Sequence, residues 1–197
     1  MNRAAIGFRV HSGWAAMVAV SLEKGEPVVL VRRKLLLVKT FSYTFRQPYH
    51  TAEQMPLKDA TEFVRKVEQE SRELGLAGIR AVQKELNSLH YKVLGCALLL
   101  ASGRKLPEFE KILASHALIH TADGELFRGS IRHSCTRAKI PFTTFKERDL
   151  LAAAALRLKK RPEFLSSKIA ALGKSLGPPW TADEKLAALS AWLVLAK

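Results

Sequence analysis

The residues best suited to chemistry lie in the stretch "HALIHTADGELFR" (116–128). At helical spacing His116, His120 and Asp123 fall at i, i+4 and i+7 and project from one face. Two imidazoles a turn apart, with a carboxylate, can bind zinc or a similar divalent ion, or share a proton. The motif lacks the intervening Glu of the zinc metalloprotease helix, so a third protein ligand has to come from elsewhere. His50, in "QPYH" on an aromatic stretch, is the candidate. The same spacing also fits histidines that are hydrogen-bonded between packed helices. Glu125 and Arg128 read as an exposed i, i+3 ion pair.

A second set of residues is electrostatic. The chain carries 32 Lys+Arg against 18 Asp+Glu, a formal net charge of +14. A field of that size attracts polyanions at long range, nucleic acid first and anionic membrane surfaces second. "VRRK" (31–34) places Arg32 and Lys34 on one face of a strand and Arg33 on the other. "SGRK" (102–105) contributes Arg104 and Lys105 at the end of an apolar strand, where open α/β sheets take their ligands. Arg128 sits in a helical run, and "LRLKKRPEF" (156–164) carries Lys159 at a helix end. Arg32, Arg33, Arg104, Lys105, Arg128 and Lys159 are the expected contributors to a basic, phosphate-tracking surface. Phe41, Tyr43, Phe45 and Tyr49 are expected to stack bases beside it. The competing readings are cations that complement helix ends and aromatics that alternate into a core.

Several chemistries are excluded. The sequence has no GxxxxGK[ST] phosphate loop, no GxGxxG and no GxSxG nucleophile elbow. His133 and Cys135 stand at i and i+2, which diverge on a helix. The other cysteine, Cys96, lies in an apolar run, so no disulfide framework is expected.

The elements that would position these groups follow from periodicity. Residues 4–10, 14–22 and 28–38 are apolar or β-branched and joined by "HSG" and "EKGEP", which reads as three antiparallel strands in a meander. An aperiodic loop is expected over 39–56. Residues 57–90 then repeat apolar positions every three or four, with Gly75 and Gly78 as a place to kink or split. "YKVLGCALLLAS" (91–102), apolar on both faces, suits an interior strand. A helical stretch in two pieces (107–140) leads to a short strand, "PFTTF" (141–145). Helices follow over 147–160, 162–175 and 181–196, the last opened by a Thr181/Glu184 capping box. The last helix is apolar around its whole circumference, so it is either core or a dimer contact anchored by Trp192. The resulting fold is α/β: a five-stranded mixed sheet, three antiparallel strands then two parallel ones, with helices on both faces. With 48% apolar and 25% charged residues, one domain over 1–197 is expected.

This order of elements resembles that of the ribonuclease H-like superfamily, and within it the RuvC-type Holliday-junction resolvases. "AIGFRVHSGWAAMVAV" is similar to that family's first hairpin, "KIPFTTFKERDL" to its fifth strand and exit, and "PPWTADEKLAALSAWLVL" to its closing helix. The resemblance implies carboxylates that hold two Mg²⁺ ions around a phosphodiester. Carried onto this chain, the first-strand Asp falls on Arg9 and the acid near the end of the fourth strand on Ser102 or Gly103. Asp183 matches, while the acid one turn later falls on Leu186. Asp183 also has the ordinary role of an acid in a first helical turn.

The expectation is thus a degenerate, non-catalytic member that binds nucleic acid, with the inherited two-metal site absent. One alternative is a metal-dependent nuclease or phosphoesterase rebuilt on His116, His120, Asp123 and His50. Another is a scaffold for an acidic protein partner. No cofactor is expected unless a divalent metal occupies that His/Asp cluster. A homodimer is the expected assembly if the last helix is a contact. No apolar run approaches the ~20 residues of a membrane span, and the N-terminus turns polar too soon for a signal peptide, so a cytoplasmic protein with no membrane partner is expected.

Overall fold

A computed structural model describes residues 1–101 and 105–196. Strands β1 (Asn2–His11), β2 (Trp14–Glu23) and β3 (Glu26–Leu36) form the antiparallel meander. Gly13 and Gly25, both at positive φ, close its two turns. Two short helices follow, α1 (Tyr43–Arg46) and α2 (Pro48–Ala52), and then the long helix α3 (Leu57–Ser88). Strand β4 (Tyr91–Leu100) pairs parallel with β1, and β5 (Phe142–Lys146) pairs parallel with β4. Between them lie α4 (Phe109–Leu113) and α5 (His116–Arg137). After β5 come a short turn (Glu147–Asp149), α6 (Leu150–Leu158), α7 (Pro162–Leu176) and α8 (Ala182–Leu195). The sheet order is β3-β2-β1-β4-β5, three antiparallel strands and two parallel ones, as the pattern predicts.

Two corrections concern local structure. The stretch 39–56 is not all loop, because Pro48 stands at the first position of α2 with its φ already helical. Helix α3 runs unbroken through Gly75 and Gly78. Both glycines are close-approach points: a Cβ on Gly75 would meet the Ser134 hydroxyl of α5 at 2.7 Å, and one on Gly78 would strike the Leu35 side chain of β3.

The period-2 alternation of β1 divides the core. Ala4, Ile6, Phe8 and Val10 pack with Val64, Ile79 and Val82 of α3 and Phe127 and Ile131 of α5. Ala5 faces the other way, with Val18, Ala97 and the buried run Ala187–Leu195 of α8. Helix α8 is apolar all round because α6, α7 and the sheet cover it, and Trp192 is buried there as core. No helix among the described residues is long and apolar enough to cross a membrane.

Gly7, on the α8 face of β1, lets that helix sit directly on the strand. A Cβ there would collide with the Ala187 carbonyl and lie 2.6 Å from the Ser190 hydroxyl. Since the obstacle is backbone, Gly7→Ala is expected to destabilise by about 2–3 kcal/mol, the upper end for an overpacked core. Urea unfolding checks this; a change below about 0.5 kcal/mol would place α8 farther from the sheet.

Candidate functional site

Beyond Gly7, the next residues of β1 on the α8 face are Arg9 and His11. They emerge at the end of the sheet where β1 and β4 both finish. The Arg9 guanidinium grips both oxygens of Glu147, Nε to Oε2 at 2.9 Å and NH2 to Oε1 at 2.7 Å. Its NH1 donates to Asp183 Oδ1. His11 Nε2 lies 3.1 Å from the same Asp183 oxygen. Glu147 follows β5 directly, and Asp183 stands in the first turn of α8, which the Thr181/Glu184 capping box holds in place. The pairing shifts both partners toward their charged forms. The hydrogen bond to Glu147 raises the Arg9 pKa against the opposing effect of burial. The hydrogen bond from Arg9 holds the Glu147 carboxyl below its ordinary range, again against burial. The two carboxylates brought together at the sheet end are thus both engaged by a single fixed protein cation. Arg9 also lines a cleft of about 570 Å³ with His11, Ala101, Arg128, Glu147 and Arg148, each of whose three arginines is paired with an acid, Arg148 with Asp149 at 3.3 Å.

A row of aromatic rings and cations adjoins the cleft. Trp14, paired with His11 across the first hairpin, stacks on its ring at 4.4 Å and 9°. Lys34 Nζ lies 4.6 Å from the Trp14 ring centre and 4.9 Å from that of Phe41. Arg46 covers Phe41 at 4.6 Å. Phe41 is 44% exposed, so one end of the row remains open to solvent. Of the other aromatics expected to stack bases, Tyr43 is exposed. Phe45 and Tyr49 pack against the core.

The histidine cluster lies where α2 meets the start of α5. His116 and His120 stand one turn apart on α5, with their Nε2 atoms 3.1 Å from each other. His50 of α2 completes a group of three whose ligating atoms all lie within 4.8 Å of one another. The rings meet edge to face, with centroids 4.4 to 5.3 Å apart. Asp123 is turned away from this opening. Buried to 1% exposure, it accepts the Tyr49 backbone N–H at 2.7 Å on Oδ1 and faces His50 Nδ1 at 2.5 Å through Oδ2. Burial pushes its carboxyl pKa up, while those two contacts act the other way. Asp123 therefore stands behind His50, where the sequence reading had placed it beside the two α5 histidines.

The remaining basic residues named from sequence fall into two groups. Arg32 is spent on structure: NH1 donates to the Gly177 carbonyl at 3.1 Å and to that of Pro179, and Nε lies 3.7 Å from Glu184. Arg33 pairs with Glu85 of α3 at 2.5 Å. The pair of Arg128 with Glu125 is present at 2.8 Å but largely buried rather than exposed, because α5 lies under the cleft. Lys105 and Lys159 are exposed. Arg104, together with Ser102 and Gly103, lies outside the described residues.

The sequence reading missed Glu147, His11, Trp14 and Lys34 as parts of one site. For Glu147 a signal existed: an acid directly after a strand that must pair beside β4 ends on the same edge as β1.

No family model matches the chain, and no curated protein matches its sequence. Solved structures do match. Thermus thermophilus RuvC in complex with a Holliday junction substrate aligns with a TM-score of 0.53 at 11% identity, covering 98% of this chain and 93% of that one. A second Thermus thermophilus RuvC structure gives 0.50 at 12% identity over the same shares. The yeast mitochondrial Holliday junction resolvase gives 0.48 at 11% identity, over 98% of this chain and 76% of that one. At such identities the likeness establishes the fold, which is ribonuclease H-like and of the RuvC type.

Proposed function

We propose that this protein binds nucleic acid on the cleft and aromatic row at the end of β1, and does not cut it by the two-metal chemistry associated with its fold. The observation that carries this reading is Arg9 clamped between Glu147 and Asp183. Two-metal cleavage needs carboxylates free to hold ions that bracket the attacking and leaving oxygens. Here a guanidinium already occupies the space between the acids and takes up both Glu147 oxygens and Asp183 Oδ1, so these are not free to hold an ion. What remains is a cleft lined by Arg9, Arg128 and Arg148 on a chain of net charge +14, beside a row of rings and cations that ends at the exposed Phe41. Such a combination of cations and stacking surface suits unpaired or splayed nucleotides, as found at junctions and loops. A RuvC of the same fold is known in complex with a Holliday junction, which makes branched DNA the first substrate to try.

In this account the whole chain acts as one domain, with helices α6–α8 holding Asp183 and Glu147 against β1. Fluorescence anisotropy with a labelled four-way DNA junction tests the reading. Binding is expected at 50 mM salt and is expected to fall steeply, by about 10³-fold for six phosphate contacts, as salt rises to about 200 mM. Affinity that is absent at low salt, or indifferent to salt, would defeat it.

A further inference from the structure

We infer that His50, His116 and His120 form a binding site for a single Zn²⁺ ion, with Asp123 as its positioning carboxylate and the fourth coordination place open to water or an anionic ligand. This goes beyond nucleic-acid binding and does not depend on it: the cluster is built by α2 and α5, apart from the Arg9 clamp of β1, β5 and α8.

Four observations carry the inference. First, the donor set is three imidazoles, the ligand set of open zinc sites. Second, the spacing fits. With Zn–N bonds of ~2.0–2.1 Å, two nitrogens on a tetrahedron stand about 3.3 Å apart, close to the 3.1 Å between His116 Nε2 and His120 Nε2. His50 brings the third ligating atom within 4.8 Å of both, so small rotations of exposed rings close the set. Third, the tautomer of His50 is fixed. Its Nδ1–H donates to the Asp123 Oδ2 carboxylate oxygen, which leaves the Nε2 lone pair directed away from the carboxylate. Asp123 is itself immobilised by the Tyr49 N–H on its other oxygen. A buried carboxylate that orients a histidine packed edge to face against two more histidines matches the outer shell of a zinc site. Fourth, the α5 nitrogens have no other employment. Among the described residues, the one hydrogen-bond partner of His116 Nε2 and His120 Nε2 is each other. Both rings are exposed, so an ion reaches them from solvent and keeps an open side once bound.

The site lies at the first turns of α5, where the helix dipole disfavours a cation. The Asp123 carboxylate behind His50 offsets this, supplying negative charge on the protein side of the ion. Soft or borderline divalent ions are selected over Mg²⁺, which demands oxygen ligands. Arg128 lies eight residues beyond His120 on the same helix, about 12 Å along its axis. Helix α5 thus connects this site to the cleft that Arg9 and Arg128 line.

The test uses Co²⁺ as a visible probe on the full chain, freed of metal with a chelator and dialysed. Titration is expected to produce tetrahedral d–d absorption that saturates at one equivalent and is abolished by adding Zn²⁺. His116→Ala and His120→Ala, both at exposed positions, are expected to remove the absorption while leaving circular dichroism unchanged. Asp123→Asn, if it retains the native dichroism, is expected to weaken Co²⁺ about 10- to 100-fold without removing it. Absence of d–d absorption in the wild type would overturn the inference, as would equal absorption in the wild type and the His116→Ala/His120→Ala double variant. An intense near-ultraviolet thiolate band would also overturn it, since it would put the metal on Cys96 or Cys135.

Discussion

Arg9→Asp is expected to destabilise the protein by about 2–3 kcal/mol in the absence of divalent ions, and to acquire a Mg²⁺ response that the wild type lacks. Arg9 makes three charge-assisted contacts to two carboxylates. Removing one partner of a buried charge pair costs about 3–5 kcal/mol, less where water still reaches the group. The three side chains here are 20 to 37% exposed, so solvent screening brings Arg9→Ala below that range, to about 1–2 kcal/mol. Aspartate adds repulsion, because it sets a third carboxylate against Glu147 and Asp183. Three acids converging from β1, the end of β5 and α8 form an oxygen-rich cage of the kind Mg²⁺ accepts. Millimolar Mg²⁺ at about a hundred times its Kd then restores roughly 2.7 kcal/mol, or about 5–10 °C in Tm for a chain of this length. Thermal unfolding of wild type, Arg9→Ala and Arg9→Asp, with Mg²⁺ and with EDTA, reads this directly. An equal Mg²⁺ shift in wild type and variant would mean that the ion binds elsewhere, and that Arg9 does not stand in its place.

The second large effect concerns the aromatic row. Phe41→Ala is expected to weaken binding of a junction or single strand about 10- to 100-fold while leaving the salt dependence unchanged, because a stacked base is worth about 1–3 kcal/mol and releases no counterions. Lys34→Gln is expected to do the opposite, reducing the slope of log K against log salt by about 1. Lys34 lies between two rings, so its loss also removes two cation–π contacts, worth about 0.5–1 kcal/mol each at exposed sites. The separation of the two signatures is the informative result. Identical salt slopes in both variants would reduce the row to a stabilising feature of the β2–β3 face.

Much of the scaffold could be read from residue order. Short turns at Gly13 and Gly25 leave three strands no choice but an antiparallel meander, and the helical length between β3 and β4 permits a parallel return. The start of α8 was legible because Thr181 and Glu184 satisfy each other locally. Local reasoning failed where the deciding partner is distant. Gly75 and Gly78 read as breakers, yet each is a contact with α5 or β3 that no window of α3 contains. Arg9 could be recognised as a cation where the resemblance implies an acid, but not its engagement with Glu147. That contact spans 138 residues and depends on the parallel register of β1, β4 and β5. The histidines were the intermediate case. His116 and His120 share a face by periodicity alone, and His50 joins them because Pro48 starts the short helix that carries it. Asp123 shares that periodicity, but burial under α2 turns it into a support for His50.

The most direct test of the account incubates the wild-type protein with a labelled four-way junction and Mg²⁺ at low salt. The same sample is then run on a native gel for binding and on a denaturing gel for strand scission. The account predicts a shifted complex whose strands remain intact, and an unchanged result for Asp183→Asn on the denaturing gel. Mg²⁺-dependent nicking by the wild type that disappears in Asp183→Asn would contradict it, because the acids held by Arg9 would then be holding metal.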